Sequence, residues 1–492
     1  MITELLTVNW TTILVFVSVF LLLFWYLRRD NSGLPPGPGI LGSMLAMKGG
    51  DPRPAFRKLR EQYGDIFTVY FGTMQVTVMN GYDVLKDAFV KHGDKFTDRP
   101  KMFLTDELGD GGKGVIFSSG HVWSEQRKLM LSTLREFGMG KNLMEMKIKE
   151  EVVAVVDAIQ TERGQVMDFK KLITVAVSNV VCSMVFGKRF EYTDEKFSKF
   201  IDALDDNFKS MGSTQLVSLF PFLRHLPGDL FKVKRLHESG KMINDELIDP
   251  AVKEHIRDFD ENNINDYIDS YIKSVRDTGE TSSINYANLK KTINDLFIAG
   301  TESTATTIYW ALLYFLHNPN VQEKCFKEIN EKIGTSRLPS TRDKTGLPYL
   351  EATIMELQRH ADISPLSGAH SPTEDLVFRG YSFKKGHAIF PNLHSVHRDP
   401  KVWENSDDFR PERFLDKEGK VVKPDELIPF FMGRRNCLGE SLARMELFLF
   451  LSAMIQKFRF EKEEGVDTPP LSGVVGLTHS PLPFKCRAIL RH

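Results

Sequence analysis

The stretch that decides how this chain is read is Phe430-Phe431-Met432-Gly433-Arg434-Arg435-Asn436-Cys437-Leu438-Gly439-Glu440. One cysteine, flanked by glycines, runs straight into an apolar segment whose periodicity predicts a helix over Leu438 to Phe458. A helix N-terminus stabilises an anion through its macrodipole and its free backbone N–H groups, so the placement predicts a Cys437 thiol with a lowered pKa and ligand character. Gly433 and Gly439 allow a sharp turn and a close approach of the backbone to a flat partner. A lone cysteine is more often an inert buried one. Against that, the five positions Phe430, Gly433, Arg435, Cys437 and Gly439 would recur by chance in about one chain in ten thousand.

The loop resembles the cysteine loop of the cytochrome P450 monooxygenases. The resemblance implies haem b with Cys437 as its axial thiolate and metal ligand, the electronic arrangement that favours O–O cleavage at haem iron. It also implies that Gly439 lies against the cofactor and that Arg435 reaches a propionate.

The 492 residues carry a net charge of −1, which gives no electrostatic footprint for nucleic acid. Composition is even after the first forty residues, with no repeat or low-complexity tract, so residues 43–492 are read as one haem-binding catalytic domain. The four cysteines Cys182, Cys325, Cys437 and Cys486 are scattered and form neither a disulfide framework nor a zinc pattern. At the N-terminus, Thr11 to Leu27 is an almost unbroken apolar run followed by Arg28 and Arg29. That is the pattern of a single retained membrane anchor, residues 1–29, with the bulk of the protein on the cytoplasmic side. It lacks the basic start and small-residue exit of a cleaved signal peptide. Asn9-Trp10-Thr11 matches a glycosylation sequon too close to the apolar run to carry weight. Residues 30–42, with Leu34-Pro35-Pro36-Gly37-Pro38-Gly39, read as a stiff proline-rich hinge, similar to that of microsomal family members.

Along the rest of the chain helical periodicity dominates and strands are few, so the fold class is mainly α with minor β. A hairpin is expected around Gly72, from Phe67–Tyr70 and Gln75–Val78, with further alternation near Leu376 to Ile389 and at the C-terminus. The clearest helix runs from about Asn285 to His317 and spans roughly 50 Å. Its middle, Phe297 to Thr307, interrupts good helix formers with a glycine and clustered hydroxyls. By resemblance this is the oxygen-activating segment, widened beside the haem, with Ala299 against the cofactor and Glu302, Ser303 and Thr304 as catalytic residues. Ser303 stands where the family usually has Thr. Its hydroxyl can donate and accept, and without the methyl it rotates more freely, an expectation of leakier coupling with peroxide release. Hydroxyls bonded back to the i−4 carbonyl are the plain structural alternative.

Glu356 and Arg359, at i and i+3 in a helix expected from Pro348 to His360, match a family pair that joins Arg413 in a buried ion network. The spacing alone proves little, since Glu254 and Arg257 share it. Trp123 and Arg127, one helical turn apart, and His370 resemble family contacts to the haem propionates. Phe117, Phe297, Ala299, Leu366, Gly368 and Leu477 match positions that line family substrate pockets. They are apolar or small, which favours a lipophilic substrate, neutral or amphipathic. Gly111-Gly112-Lys113-Gly114 lacks the spacing of a phosphate loop and reads as a flexible loop. Phe96 to Pro100 and Leu134 to Gly140 extend the resemblance to the microsomal, family-2-like members that oxidise drugs, steroids and fatty acids.

The implied activity is a monooxygenase of the endoplasmic reticulum membrane. An NADPH-dependent flavoprotein reductase supplies its electrons, with cytochrome b5 as a second partner; Lys128, Arg135, Lys141, Arg434 and Arg444 are candidates for a basic docking face, with an ordinary solvated charged surface as the equal alternative. Two rivals stand beside it. One is a haem-thiolate isomerase or dehydratase of oxidised lipids, which would not need Glu302 and Ser303. The other is a non-catalytic membrane haem or lipid-binding protein.

Overall fold

The computed structural model describes residues 13–21, 33–46, 48, 50–72, 74–102, 106, 110–136, 142–219, 221–226, 228–280, 283–476 and 478–491. The elements that place the site are helices α1 (Gly120–Glu136), α2 (Asn142–Thr161), α3 (Lys170–Val185), α4 (Tyr286–His317), α5 (Pro348–Ala361) and α6 (Glu440–Lys457). Small sheets flank them, as the sequence predicts.

Helix α4 forms because its ends are capped and its second half is apolar on every side. Asn285 accepts a hydrogen bond from the Asn288 N–H at 2.9 Å, which satisfies an orphan donor of the first turn, and Asn318-Pro319 ends the helix. From Thr304 to Leu316 every residue is buried, as expected of a helix that crosses a core. It packs along α3, which is buried from Ile173 to Val185. Helix α4 stays regular through Gly300. The glycine instead relieves packing, because a Cβ there would lie 2.8 Å from a Val181 methyl.

Strands β1 (Ile66–Phe71) and β2 (Met74–Asn80) make the expected hairpin, antiparallel with Val69 opposite Val76. The alternation near Leu376 resolves into a second hairpin, β3 (Leu376–Phe378) and β4 (Tyr381–Phe383), and then β5 (Ala388–Asn392), which pairs parallel to β2 with Val78 opposite Phe390. At the C-terminus β6 (Phe458–Glu461) pairs with β9 (Arg487–Leu490), and β7 (Gly473–Val475) with β8 (His479–Pro481).

The proline-rich segment is shorter than expected. It ends at Pro38, and Gly39–Ala46 is helical. It is docked on the body rather than free: Thr68 N–H donates to the Pro36 carbonyl at 2.9 Å and Ser382 N–H to Gly33 at 2.7 Å. Much of the expected anchor, residues 1–12 and 22–29, lies outside the described residues, and residues 13–21 are helical and exposed. Among the described residues no helix is long and apolar enough to cross a membrane.

Candidate functional site

The cysteine loop is a tight, internally bonded turn. Cys437 N–H donates to the Phe430 carbonyl at 2.8 Å and Asn436 N–H to Gly433 at 3.2 Å, around a 3₁₀ turn over Gly433–Arg435. Gly433 has φ 73°, and a Cβ there would sit 1.8 Å from the Phe89 carbonyl oxygen. That carbonyl is presented by a π-turn, Asp87–Lys91, the kind of helix irregularity that recurs at functional sites. Phe431 closes the loop against Phe89 and His370, with ring centroids 5.1 and 5.2 Å away.

Helix α6 starts at Glu440, two residues later than predicted, with Gly439 at its N-cap. The Cys437 thiol is accessible yet desolvated by the protein around it. The expected lowering of its pKa is therefore overturned. Desolvation raises it, outweighing a hydrogen bond from the Gly439 N–H and the pull of Arg127, and Glu440 adds to the rise.

Around the loop lies a concentration of desolvated positive charge. Arg435 donates to the carbonyls of Thr97 (2.7 Å) and Ser118 (2.6 Å) and stacks 4.2 Å over the Trp123 ring. Arg127 donates to the Asn436 carbonyl at 2.8 Å and to its side-chain oxygen at 2.7 Å. Arg99, which the motifs did not single out, donates to Ala369 at 2.6 Å and Ile116 at 3.0 Å. Burial, then Arg99, push Arg435 down to about 8, with Arg127 adding and Asp98 opposing. Burial pushes Arg99 down to about 10. Guanidiniums so placed bond chiefly to neutral carbonyls, whereas buried cations call for anions.

Two more groups await a partner. Trp123 Nε1 and His370 Nε2 are buried and unbonded, an unusual state for buried polar atoms. His370 is held by both backbone hydrogen bonds to Ile389 of β5 and by its Nδ1 against the Phe96 carbonyl at 2.8 Å. Three guanidiniums and two orphaned ring nitrogens beside an accessible thiol fit a haem, whose edge carries two carboxylates and whose iron takes a thiolate.

On α4 the three consecutive candidates part company, because successive helix residues point about 100° apart. Glu302 is buried and accepts a bond from Thr306 at 2.9 Å. Its pKa is raised by desolvation, against the pull of Lys170. The Ser303 hydroxyl donates to the Ala299 carbonyl at 2.8 Å, the i−4 back-bond. Ala299 is exposed and Ser303 half-exposed one turn apart, so both lie on the same accessible face of α4. Thr304 does not share it: its hydroxyl donates to Glu446 of α6 at 3.2 Å.

On α5, Glu356 and Arg359 are fully buried, both at 0% exposure, and paired at 2.7 and 2.9 Å. Arg413 joins Glu356 at 3.0 Å, and the Arg410 N–H donates to it at 2.8 Å. Arg359 also donates to the carbonyls of His397 (2.7 Å) and Ser406 (2.9 Å). The pair Glu254 and Arg257, alike in spacing, is not a bridge: Arg257 turns to Asp258 and Glu254 to Lys188, all exposed.

The candidate pocket residues divide. Phe117 is half-buried on the loop whose backbone the arginines hold. Gly368 gives its carbonyl to Arg99 at 3.1 Å. Phe297 is part of the main core and Leu366 packs on the β1–β2 core, so both serve packing. Leu477 and Lys141 lie outside the described residues. The Gly111–Gly114 loop is tied down at its end: Gly114 N–H donates to Asn288 at 3.0 Å, and the Val115 and Ile116 N–H groups donate to Asp295 at 2.8 and 3.1 Å. Neither Arg99 nor Glu446 had a spacing signal, although a carboxylate inside the apolar run of α6 was visible as an anomaly.

Comparison with known proteins agrees with this geometry. The family described as Cytochrome P450 matches residues 33–487. Cytochrome P450 2U1 of Rattus norvegicus is 37% identical, over 95% of this chain and 93% of its own. Cytochrome P450 2U1 of Homo sapiens is 38% identical, over 94% and 90%. Cytochrome P450 2B4 of Oryctolagus cuniculus is 37% identical, over 93% and 95%.

Proposed function

The chain belongs to the cytochrome P450 family and is a haem-thiolate monooxygenase; we propose that it oxidises a lipophilic, neutral or amphipathic organic substrate with NADPH electrons delivered by a flavoprotein reductase. The observation that carries the cofactor assignment is the set of half-buried cations and orphaned nitrogens, Arg99, Arg127, Arg435, Trp123 and His370, beside Cys437. When bound, haem supplies activation of dioxygen at an iron made electron-rich by the thiolate.

The remaining roles belong to the chain. Cys437 ligates, and Gly439 keeps the backbone close to the cofactor. The three arginines, with Trp123 and His370, fix the carboxylate edge. Glu302, whose raised pKa favours a held proton, and Ser303 move protons at the face that Ala299 opens. This acid and hydroxyl favour oxygen activation over the isomerase reading. Glu356, Arg359 and Arg413 brace the loop from behind. Phe117, Ala299 and Gly368 shape an apolar approach, which supports a lipophilic substrate.

For the whole chain we propose an anchor over residues 1–29, a proline-rich connector and a catalytic domain on the cytoplasmic side of the endoplasmic reticulum, with cytochrome b5 as a second electron partner. The apolar run before Arg28 and Arg29 supports this. The test is replacement of Cys437 by Ser together with reductase-coupled turnover of ligands found by Soret shift. The expected outcome is loss of the thiolate-type carbon monoxide spectrum and, in wild type, product formation that requires both NADPH and reductase. A thiolate-type spectrum in Cys437→Ser overturns the ligand assignment; product formed without reductase overturns the electron route.

A further inference from the structure

Helix α6 carries one carboxylate in its apolar middle. Glu446 is 1% exposed, followed by the buried run Leu447 to Leu451. Its Oε2 accepts a single hydrogen bond, from Thr304 of α4 at 3.2 Å, and its Oε1 has no partner among the described residues. A buried carboxyl with one neutral partner and an unbonded oxygen is costly, and core packing does not require it.

Its position suggests what it serves. Helix α6 begins at the cysteine loop, and the residue that Glu446 holds adjoins Ser303. The carboxyl thus links the helix that follows the cysteine loop to the Glu302–Ser303 turn of α4. We propose that Glu446 is a positioning residue: as a neutral acid it fixes Thr304, and with it the rotation of the Glu302–Ser303 turn, and when ionised it places a negative charge beside the cofactor. This rests on the assignment of Cys437 and of that turn.

The surroundings favour the neutral form. Desolvation pushes the Glu446 carboxyl up to about 8, with the Thr304 hydroxyl as the opposing influence. The ionisable groups on the elements packed against α6 have partners of their own. Glu302 is bonded to Thr306, Glu151 to Arg189 and Glu356 to Arg359. Glu328 accepts from the Tyr349 N–H, Cys325 is buried against Thr353, Lys344 pairs with Glu351 and Arg459 with Glu461. None of them acts on the Glu446 carboxyl.

The test is the reduction potential of the substrate-free holoenzyme, measured from about pH 6 to about pH 10 in wild type, Glu446→Gln and Thr304→Val. Gln keeps the acceptor for Thr304 and removes the charge. A negative charge near the iron favours the ferric state, so the wild-type potential is expected to fall in a one-proton step near pH 8. Glu446→Gln should lack that step, and Thr304→Val should move it upward. The proposal is overturned if Glu446→Gln retains the step, if wild type shows none, or if Thr304→Val leaves the step in place. The thiolate-type carbon monoxide spectrum of each variant separates these outcomes from a failure of the Cys437 assignment, which would remove that spectrum from wild type as well.

Discussion

Replacing Glu356 by Gln isolates the worth of the ion network behind the cysteine loop. The carboxylate accepts four hydrogen bonds, two from Arg359, one from the Arg413 side chain and one from the Arg410 N–H. Glutamine keeps one acceptor oxygen and turns an NH₂ group toward a guanidinium that is itself fully buried. Breaking a buried pair on one side leaves an uncompensated charge, a loss of about 3–5 kcal/mol, against a total stability of about 5–15 kcal/mol for a folded domain. The same change at Glu254 serves as the control. Its bridge to Lys188 is half-exposed at both ends, so less than about 1 kcal/mol is at stake. The assay is the rate at which the thiolate-type carbon monoxide spectrum decays on heating, since unfolding of so large a haem protein is read as a rate rather than an equilibrium. Glu356→Gln is expected to lose the spectrum much faster, or to yield little loaded protein, while Glu254→Gln follows wild type. Equal decay of the two variants refutes the reasoning, because burial of its bridge is what separates Glu356 from Glu254.

Two further outcomes follow from the site. Ser303 bonds back to Ala299, and a β-branched Thr at that position has fewer rotamers; hydrogen peroxide released per NADPH should therefore fall by a factor of about two to three in Ser303→Thr, the scale set by the three staggered wells. An unchanged ratio removes the coupling argument. Glu446 sets a pH dependence of stability whose sign is fixed by its raised pKa. Between its ordinary value of 4.5 and about 8 the folded protein holds a proton that the unfolded chain has lost, so stability falls as pH rises across that window, by at most about 5 kcal/mol. The rate of thermal loss of the carbon monoxide spectrum at about pH 5 and about pH 8 should diverge between wild type and Glu446→Gln, the variant gaining on wild type at the higher pH. Parallel behaviour of the two proteins would show that the carboxyl is not protonated in the fold.

What could be read in the chain was local. The cysteine loop, helix α4 and the Glu356–Arg359 pair depend on spacings of a few residues, and the turn or helix that realises them leaves little freedom. Arg99 escaped because its partners Gly368 and Ala369 lie about 270 positions away, and no spacing in Phe96 to Pro100 reports such a contact. Thr304 was misplaced for the opposite reason. It was grouped with Ser303 by adjacency, whereas the helix period turns it toward α6, where Glu446 takes its hydrogen bond.

The thiol shows why a local rule can point the wrong way. The Gly439 N–H does act on Cys437 as expected, and Arg127 reinforces it. They lose to desolvation, a property of everything packed around the loop and therefore invisible in eleven residues. The consequence is chemical: a thiol whose pKa is raised would have to give up its proton to serve as a metal ligand, which would couple ligation to deprotonation. The charged surroundings follow the same logic. Arg99 and Arg435 are pushed down by burial, Arg435 further by its cationic neighbours, and the two carboxylates of a bound haem would relieve them. The thiol and the arginines thus suit one group, haem, which would offer iron to Cys437 and two edge carboxylates to the guanidiniums.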